Sequence, residues 1–202
     1  VVHFHEPPVI VPETIDVKKV ALPKAALTEY SIPDDCEETV VYVCNKPSSV
    51  PVHPAGPYLS NSLTFMVEAQ EKLPAQTLIP CHRTDRVTSG LTICCSNTNV
   101  ARIIQRSMCE HEVQKLYLAR VHGRFPSSSE ELSSVSIANV SANVSFMDQG
   151  NSVKVDAPVE TVDSANGIRK VTPQGKPSQS LFRLLAYEPE LELSVISCRP
   201  IT

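Results

Sequence analysis

The sequence has no apolar run of the roughly 18 residues that a membrane-spanning helix needs. Its first residues, VVHFHEPPV, do not show the positively charged and then apolar layout of a secretory signal peptide. It also has no initiator methionine, so we expect the chain to be a fragment of a longer protein. These absences predict a protein with neither a membrane span nor a membrane partner.

Paired cysteine motifs are missing too. The seven cysteines are odd in number and scattered along the chain, and none forms a Cys-x-x-Cys pair. A disulfide framework is typical of small secreted domains, and a structural zinc site usually needs two pairs of ligands. We therefore expect a reducing, intracellular compartment, either cytoplasm or mitochondrion, and no bound metal.

Common catalytic signatures are absent as well. The chain contains no Gly-rich phosphate loop, no nucleophilic serine elbow and no His-Glu-x-x-His motif. The absence of these motifs argues against most kinds of nucleotide hydrolase, α/β-hydrolase and metalloprotease.

Positive charge is unevenly distributed. The net charge of −4 argues against a nucleic-acid partner, yet residues 81–125 carry seven bases and three acids. Phosphates bind where basic side chains cluster, whatever the sign of the total charge. Any phosphate-binding surface is therefore predicted in this segment.

The order of patterns predicts an α+β fold: a mixed, largely antiparallel sheet with flanking helices. Residues 1–35, rich in proline and acid, are predicted to be an extended lead-in without a helix, and residues 36–202 the domain itself. A rigid Pro-rich loop covers 47–58 and a polar loop 126–134. Helices are predicted from 62 to about 74 and over 97–108, capped by Asn97 or Asn99. Strands are predicted from Glu38, at 90–95, over 113–123, and near 135–144, 152–155, 168–171, 180–187 and 191–197, the last with an exposed edge.

Asp85 is the best single candidate for chemistry. It lies between Arg83 and Arg86, where a carboxylate should stay ionised and be available as a nucleophile. The alternative from spacing alone is a helix or turn cap, or a surface ion pair worth about 0 to 1 kcal/mol.

Two further side chains have both a structural and a functional interpretation. Tyr117 lies in a predicted strand, where it is either a core tyrosine or a platform under a nucleobase. His82 is either a base or a hydrogen-bonding scaffold residue.

Several peptides together resemble the RluA-type RNA pseudouridine synthases. NKPSSVPVHPAG is similar to the family's Lys-Pro-x-Gly-x-x-Val-His-Pro segment, with Ser49 at the usual glycine. HRTDRVTSGL resembles His-Arg-Leu-Asp-x-x-Thr-Ser-Gly-Leu, with Thr84 at the usual leucine. QKLYLARVHG matches Lys-x-Tyr-x-Ala-x-Val-x-Gly, and GKPSQSLF loosely follows Gly-Lys-x-Ala-x-Thr. HFHEPPV, residues 3–9, points to the eukaryotic branch that modifies an anticodon-loop uridine of tRNA.

The resemblance implies an isomerase that needs no cofactor and acts on RNA, and the expected substrate is tRNA at a uridine of the position 32 type. Asp85 would attack the target uridine, at the sugar or at the pyrimidine ring. The base of that uridine would then detach from its sugar, rotate and rejoin the sugar through a ring carbon. Arg83 would fill the space of the flipped base or hold the backbone, and Tyr117 would stack on the base. The other substrate-binding residues are then His82, Arg86 and Lys115.

One departure and two alternatives remain. The family continues with a Gly-Arg-x-His-Gln-Ile-Arg segment, whose arginine pairs with the catalytic aspartate, and we expect that segment beyond Thr202. A synthase acting on rRNA is one alternative. The other is a non-catalytic RNA-binding or RNA-chaperone module of the same fold. We expect a monomer.

Overall fold

The computed structural model of the chain describes residues 13–29, 39–54, 56–58, 60–133, 142–147, 152–164 and 168–202. The contacts divide the chain into two units, Val1–Glu110 and His111–Thr202. The peptide HFHEPPV and most of the predicted strand at 135–144 lie outside the described residues.

The sheet of the first unit has the order β1-β2-β4-β3, and each pairing is antiparallel. Its β-branched strand β2 alternates between the two faces of the sheet, because successive side chains of a strand point to opposite sides. Tyr42 and Cys44 face one core cluster, and Val41 faces the other. The strands are β1 (Asp16–Ala21), β2 (Val40–Lys46), β3 (Ile79–Pro80) and β4 (Gly90–Cys95).

Helices supply the other side of each core cluster. Helix α2 buries Leu63 and Val67 against the Tyr42 face, and helix α3 buries Val100 and Ala101 against the Val41 face. Asn97 caps α3, with its Oδ1 accepting hydrogen bonds from the main-chain N–H groups of Asn99 (2.8 Å) and Val100 (3.2 Å). The helices are α1 (Lys24–Glu29), α2 (Leu63–Gln70) and α3 (Thr98–Cys109).

The prediction that residues 1–35 contain no helix is wrong. Helix α1 begins directly after Pro23, where the absent N–H of proline removes no helical hydrogen bond. Its Leu27 joins the cluster on the Val41 face. Within the same lead-in, β1 pairs with β2 along its full length.

The second unit contains a five-stranded antiparallel sheet of order β5-β11-β10-β7-β6 and a separate hairpin, β8-β9. The buried Ser194 joins β11 to the turn after β5, since its Oγ donates to the Gly123 carbonyl at 2.7 Å and accepts from the Phe125 N–H at 2.9 Å. The elements are β5 (Tyr117–His122), α4 (Ser129–Ser133), β6 (Asn143–Met147), β7 (Ser152–Asp156), β8 (Val159–Asp163), β9 (Ile168–Val171), β10 (Gln179–Glu188) and β11 (Leu193–Pro200).

The α+β class is confirmed, as are most of the predicted elements. Three expectations for the second unit differ from the structure. The polar loop at 126–134 contains the short helix α4, whose first turn carries Glu130 and Glu131, residues that favour a helix N-terminus. Strand β8 was not predicted. Strand β11 pairs on both sides, so the expected exposed edge at the last strand is wrong.

Candidate active site

The segment that joins β3 to β4, residues 81–89, contains Asp85 and is called the Asp85 loop below. Its first two residues are bonded to β4: the Cys81 N–H donates to the Ile93 carbonyl at 2.8 Å, and the Ile93 N–H donates to His82 Nε2 at 3.2 Å. His82 therefore connects the loop to the sheet.

Exposure alternates along the Asp85 loop. Arg83 and Asp85 are exposed, whereas Thr84 and Arg86 are half-buried. Within the described part of the chain, no hydrogen bond or ion pair reaches the carboxylate of Asp85 or the guanidinium of Arg83. The Asp85 carbonyl accepts from the Thr88 N–H at 3.0 Å, which closes a turn directly after the carboxylate. The aspartate is thus presented to solvent by a turn and lacks the ion pair with a neighbouring arginine.

A buried lysine is hydrogen-bonded to the backbone of this turn. Lys46, the last residue of β2, has 0% of its surface exposed. Its Nζ donates to the carbonyl oxygens of Val50 (2.8 Å), Pro47 (2.9 Å) and Arg86 (3.2 Å). Burial lowers the pKa of Lys46, and the negative charge of Asp85 partly opposes that shift. Lys46 therefore joins the Pro-rich loop to the Asp85 loop and places a cation within electrostatic reach of Asp85.

The neighbouring serines serve the same junction. Ser48 Oγ donates to the Val87 carbonyl at 2.7 Å, a second link between the two loops. Ser49 has φ of 73°, in the left-handed region that glycine adopts without steric cost. The family motif that this peptide resembles has glycine at this position, and glycine would adopt this φ without that steric cost.

Arg86 is held by an aromatic ring. Its guanidinium carbon lies 5.4 Å from the centroid of the Tyr58 ring, within cation–π range, and Nη1 donates to the Tyr58 hydroxyl at 3.4 Å. Tyr58 ends a single 3₁₀ turn, Gly56–Tyr58, in the Pro-rich loop. The side chain after Asp85 is therefore packed against protein.

Two predicted site residues belong to the second unit. Tyr117 begins β5 and is 39% exposed, which excludes the core-tyrosine alternative. Lys115, two residues earlier, is half-buried and lines a surface cavity of about 200 Å³ together with His111, Gln114 and Arg199.

The described residues contain no group of three or more His, Cys, Asp or Glu side chains that could hold a metal ion. Across the same residues, no helix is both long and apolar enough to cross a membrane.

A cavity of about 330 Å³ in the first unit lies beside α2 and is lined by apolar groups such as Phe65, with Glu68 at its wall. The Glu68 carboxylate is already occupied by the main-chain N–H groups of Gln76 and Leu78.

Sequence reasoning found the Asp85 loop but missed Lys46 and Tyr58. Lys46 lies in the peptide NKPSSVPVHPAG, so the resemblance itself was the available signal for it, whereas Tyr58 lies two residues beyond that peptide. Nothing in the residue pattern marks Tyr58 as the partner of Arg86, because the contact joins positions 28 residues apart. The structural interpretation of His82 gains support from its bond to Ile93, while its role in substrate binding stays a prediction.

Residues 40–202 match the family model described as RNA pseudouridylate synthase. The chain is 32% identical over 200 residues to the tRNA pseudouridine(31) synthase of Saccharomyces cerevisiae, covering 99% of this chain and 47% of that protein. It is 32% identical over 201 residues to pseudouridylate synthase RPUSD2 of Homo sapiens, covering 100% of this chain and 29% of that protein. The chain therefore spans less than half the length of these curated relatives.

A solved structure shares the fold. Human RNA Pseudouridylate Synthase Domain Containing 1 superposes with a TM-score of 0.55 at 20% identity, covering 80% of this chain and 56% of that chain.

Proposed function

The chain belongs to the RNA pseudouridylate synthase family, and from that premise we propose that residues 36–202 form the catalytic domain of a tRNA pseudouridine synthase. The observation that carries the proposal is the presentation of Asp85. Its carboxylate is exposed on a turn whose backbone is fixed by Lys46 and Ser48, inside the matched region. A nucleophile needs that combination of access and fixed geometry.

In this proposal Asp85 is the nucleophile of an isomerisation: a carboxylate oxygen bonds to the sugar or to the pyrimidine ring of the target uridine, and that bond breaks again before the product leaves, which regenerates the carboxylate. The glycosidic bond between the uracil nitrogen and the sugar breaks, and a ring carbon bonds to the same sugar carbon. That ring carbon loses its proton and the freed nitrogen gains one, so no group or electron is added overall. The reaction therefore requires no redox partner. The feature that supports Asp85 as the nucleophile is its exposed carboxylate, which makes no hydrogen bond or ion pair within the described residues.

Three of the other predicted residues, Arg83, Tyr117 and Lys115, serve RNA binding. A stacked base has to be extruded before it can be turned over, at a cost of a few kcal/mol. Arg83, exposed two residues before Asp85, is available for a phosphate or for the vacated space, and the exposed ring of Tyr117 is available to stack on the base. Lys115, half-buried in the second unit, adds positive charge for a phosphate.

The substrate we propose is a uridine in the anticodon arm of tRNA. The name of the yeast relative specifies position 31 of tRNA, whereas the motif peptides of this chain resemble the branch that modifies position 32. Both uridines lie in one arm, so a single tRNA transcript presents both to the enzyme.

The test compares the full-length wild type with Asp85→Asn on tRNA and on rRNA fragments. Pseudouridine is mapped by carbodiimide modification and primer extension, and RNA affinity is measured by fluorescence anisotropy. We expect a wild-type signal at position 31 or 32 and none for Asp85→Asn, with affinity kept within a few-fold because amide and carboxylate have nearly the same shape. Asp16→Asn, an exposed aspartate on β1, is the matched control.

The outcomes separate the alternatives. Modification of rRNA only would assign the enzyme to a different RNA. Binding without modification by the wild type would indicate the non-catalytic module. Full activity of Asp85→Asn would remove Asp85 from the mechanism.

A further inference from the structure

The carboxylate of Asp85 makes no hydrogen bond or ion pair with a described side chain, so its position depends on the backbone of the Asp85 loop. An alignment error of about 1 Å at a reacting group can lower a rate about 100-fold. The contacts that fix the loop on either side of Asp85 therefore matter for the reaction.

Three hydrogen bonds fix main-chain carbonyl groups of the loop. Lys46 bonds to the Arg86 carbonyl, Ser48 bonds to the Val87 carbonyl, and the Thr88 N–H bonds to the Asp85 carbonyl. None of these three contacts holds a side chain of the loop. The contact between the Arg86 guanidinium and the Tyr58 ring does so, at the residue adjacent to Asp85.

Tyr58 is itself connected to a fixed part of the first unit. Earlier in the same Pro-rich loop, the carbonyls of Pro51 and Val52 accept hydrogen bonds from the N–H groups of Leu63 (2.9 Å) and Thr64 (3.1 Å), at the start of α2. Both residues at the start of this helix are buried. Tyr58 thus lies in the chain between Val52 and Leu63, and both of these residues make hydrogen bonds at the start of α2.

We propose that Tyr58 is a positioning residue, which holds Asp85 in its reactive place by packing against the guanidinium of Arg86. The inference rests on the proposed function of Asp85. In this arrangement Tyr58 contacts neither the RNA nor the reacting base. It acts through Arg86, which then serves the loop rather than a phosphate.

The test uses full-length protein and three variants. Tyr58→Leu removes the ring, Tyr58→Phe keeps the ring and removes the hydroxyl, and Tyr187→Leu is the matched control. Tyr187 packs against Arg124 in the second unit at the same distance, 5.4 Å, so its loss removes a contact of the same kind that does not involve the Asp85 loop. Single-turnover rates are measured on saturating tRNA, together with tRNA affinity by anisotropy and melting temperature.

We expect Tyr58→Leu to lower the single-turnover rate about 10- to 100-fold with unchanged tRNA affinity. Tyr58→Phe should recover the rate to within about threefold of wild type, because it loses only one weak hydrogen bond. Tyr187→Leu should keep the wild-type rate. Combining Tyr58→Leu with Arg86→Gln should lower the rate no further than Arg86→Gln alone, since Tyr58 acts through Arg86.

A second readout does not depend on activity. Hydrogen exchange of the peptide covering residues 82–89 should speed up in Tyr58→Leu and stay unchanged in Tyr187→Leu. A wild-type rate in Tyr58→Leu, or weakened tRNA binding as its main defect, would overturn the proposal; the latter would make Tyr58 an RNA contact. An inactive wild type would overturn the proposed function, and exchange would then decide whether Tyr58 holds the loop.

Discussion

The ammonium of Lys46 donates a hydrogen bond to the main-chain carbonyl of Arg86 at 3.2 Å. This bond connects the end of β2 to the residue directly after Asp85, across 40 positions of sequence. Two more carbonyls, of Pro47 and Val50, share the same ammonium. A single buried cation therefore organises two loops.

Lys46→Met should destabilise the first unit strongly. The change keeps a long side chain but leaves three carbonyls without their charged donor, and an unsatisfied buried group costs roughly 1–3 kcal/mol. We expect a loss of about 2–4 kcal/mol, measured by urea unfolding. Lys18→Met, at an exposed position of β1, is the control and should change stability by less than about 0.5 kcal/mol. Equal stability of Lys46→Met and wild type would mean that the desolvation of Lys46 cancels its hydrogen bonds.

Ser49→Gly should stabilise the protein slightly. Ser49 adopts φ of 73°, a conformation that destabilises the folded state by roughly 1–2 kcal/mol for a residue with a side chain. Glycine avoids this strain, but it loses more conformational entropy on folding, which costs about 0.5–1 kcal/mol. The expected net gain is about 0.5–1 kcal/mol, seen as a higher urea midpoint. Ser48→Gly serves as the comparison, because it loses the bond to Val87 and should destabilise. A loss of stability in Ser49→Gly would show that the serine makes a compensating contact.

The ring and the hydroxyl of Tyr117 should have separable effects. Tyr117→Phe should bind tRNA as the wild type does but turn over more slowly, whereas Tyr117→Ala should also lose stacking worth roughly 1–3 kcal/mol. Anisotropy and single-turnover assays measure the two effects. Because Tyr117 is exposed, neither change should alter folding much, and melting temperatures verify this. Equal tRNA affinity of the Phe and Ala variants would show that the ring does not lie under the base.

Stability should depend on pH through Glu71. Lys19 Nζ lies 2.8 Å from its Oε2, and the hydrogen bond from Lys19 holds the pKa of Glu71 below its usual value. A carboxylate whose pKa is lowered by folding contributes stability above its unfolded pKa and loses that contribution as pH falls through the folded pKa. Glu71→Gln should therefore cost about 0.2–1 kcal/mol at neutral pH and nothing at acidic pH.

Urea unfolding of both proteins across that range measures the difference. Glu29→Gln, an exposed glutamate at the end of α1, is the control and should show no such trend. A pH-independent difference between Glu71→Gln and wild type would attribute the effect to packing.

The sequence by itself determined the local elements and the family. Helix α3 follows from a one-sided pattern of Val100, Ile103 and Ile104 with an Asn97 cap, and β2 follows from a run of β-branched residues, because both signals are local in the chain. The motif around Asp85 pointed to the family, which the match over residues 40–202 confirms.

Only the tertiary structure decided which side chains support Asp85. The burial of Lys46 and the pairing of Tyr58 with Arg86 depend on contacts between segments that are 28 to 40 residues apart. Helix α1 likewise forms although prolines surround it, because its Leu27 is buried against a sheet that the local sequence does not reveal. Local patterns fix backbone preference, whereas the partner of a polar side chain is set by where the folded chain brings a carbonyl or a ring within reach.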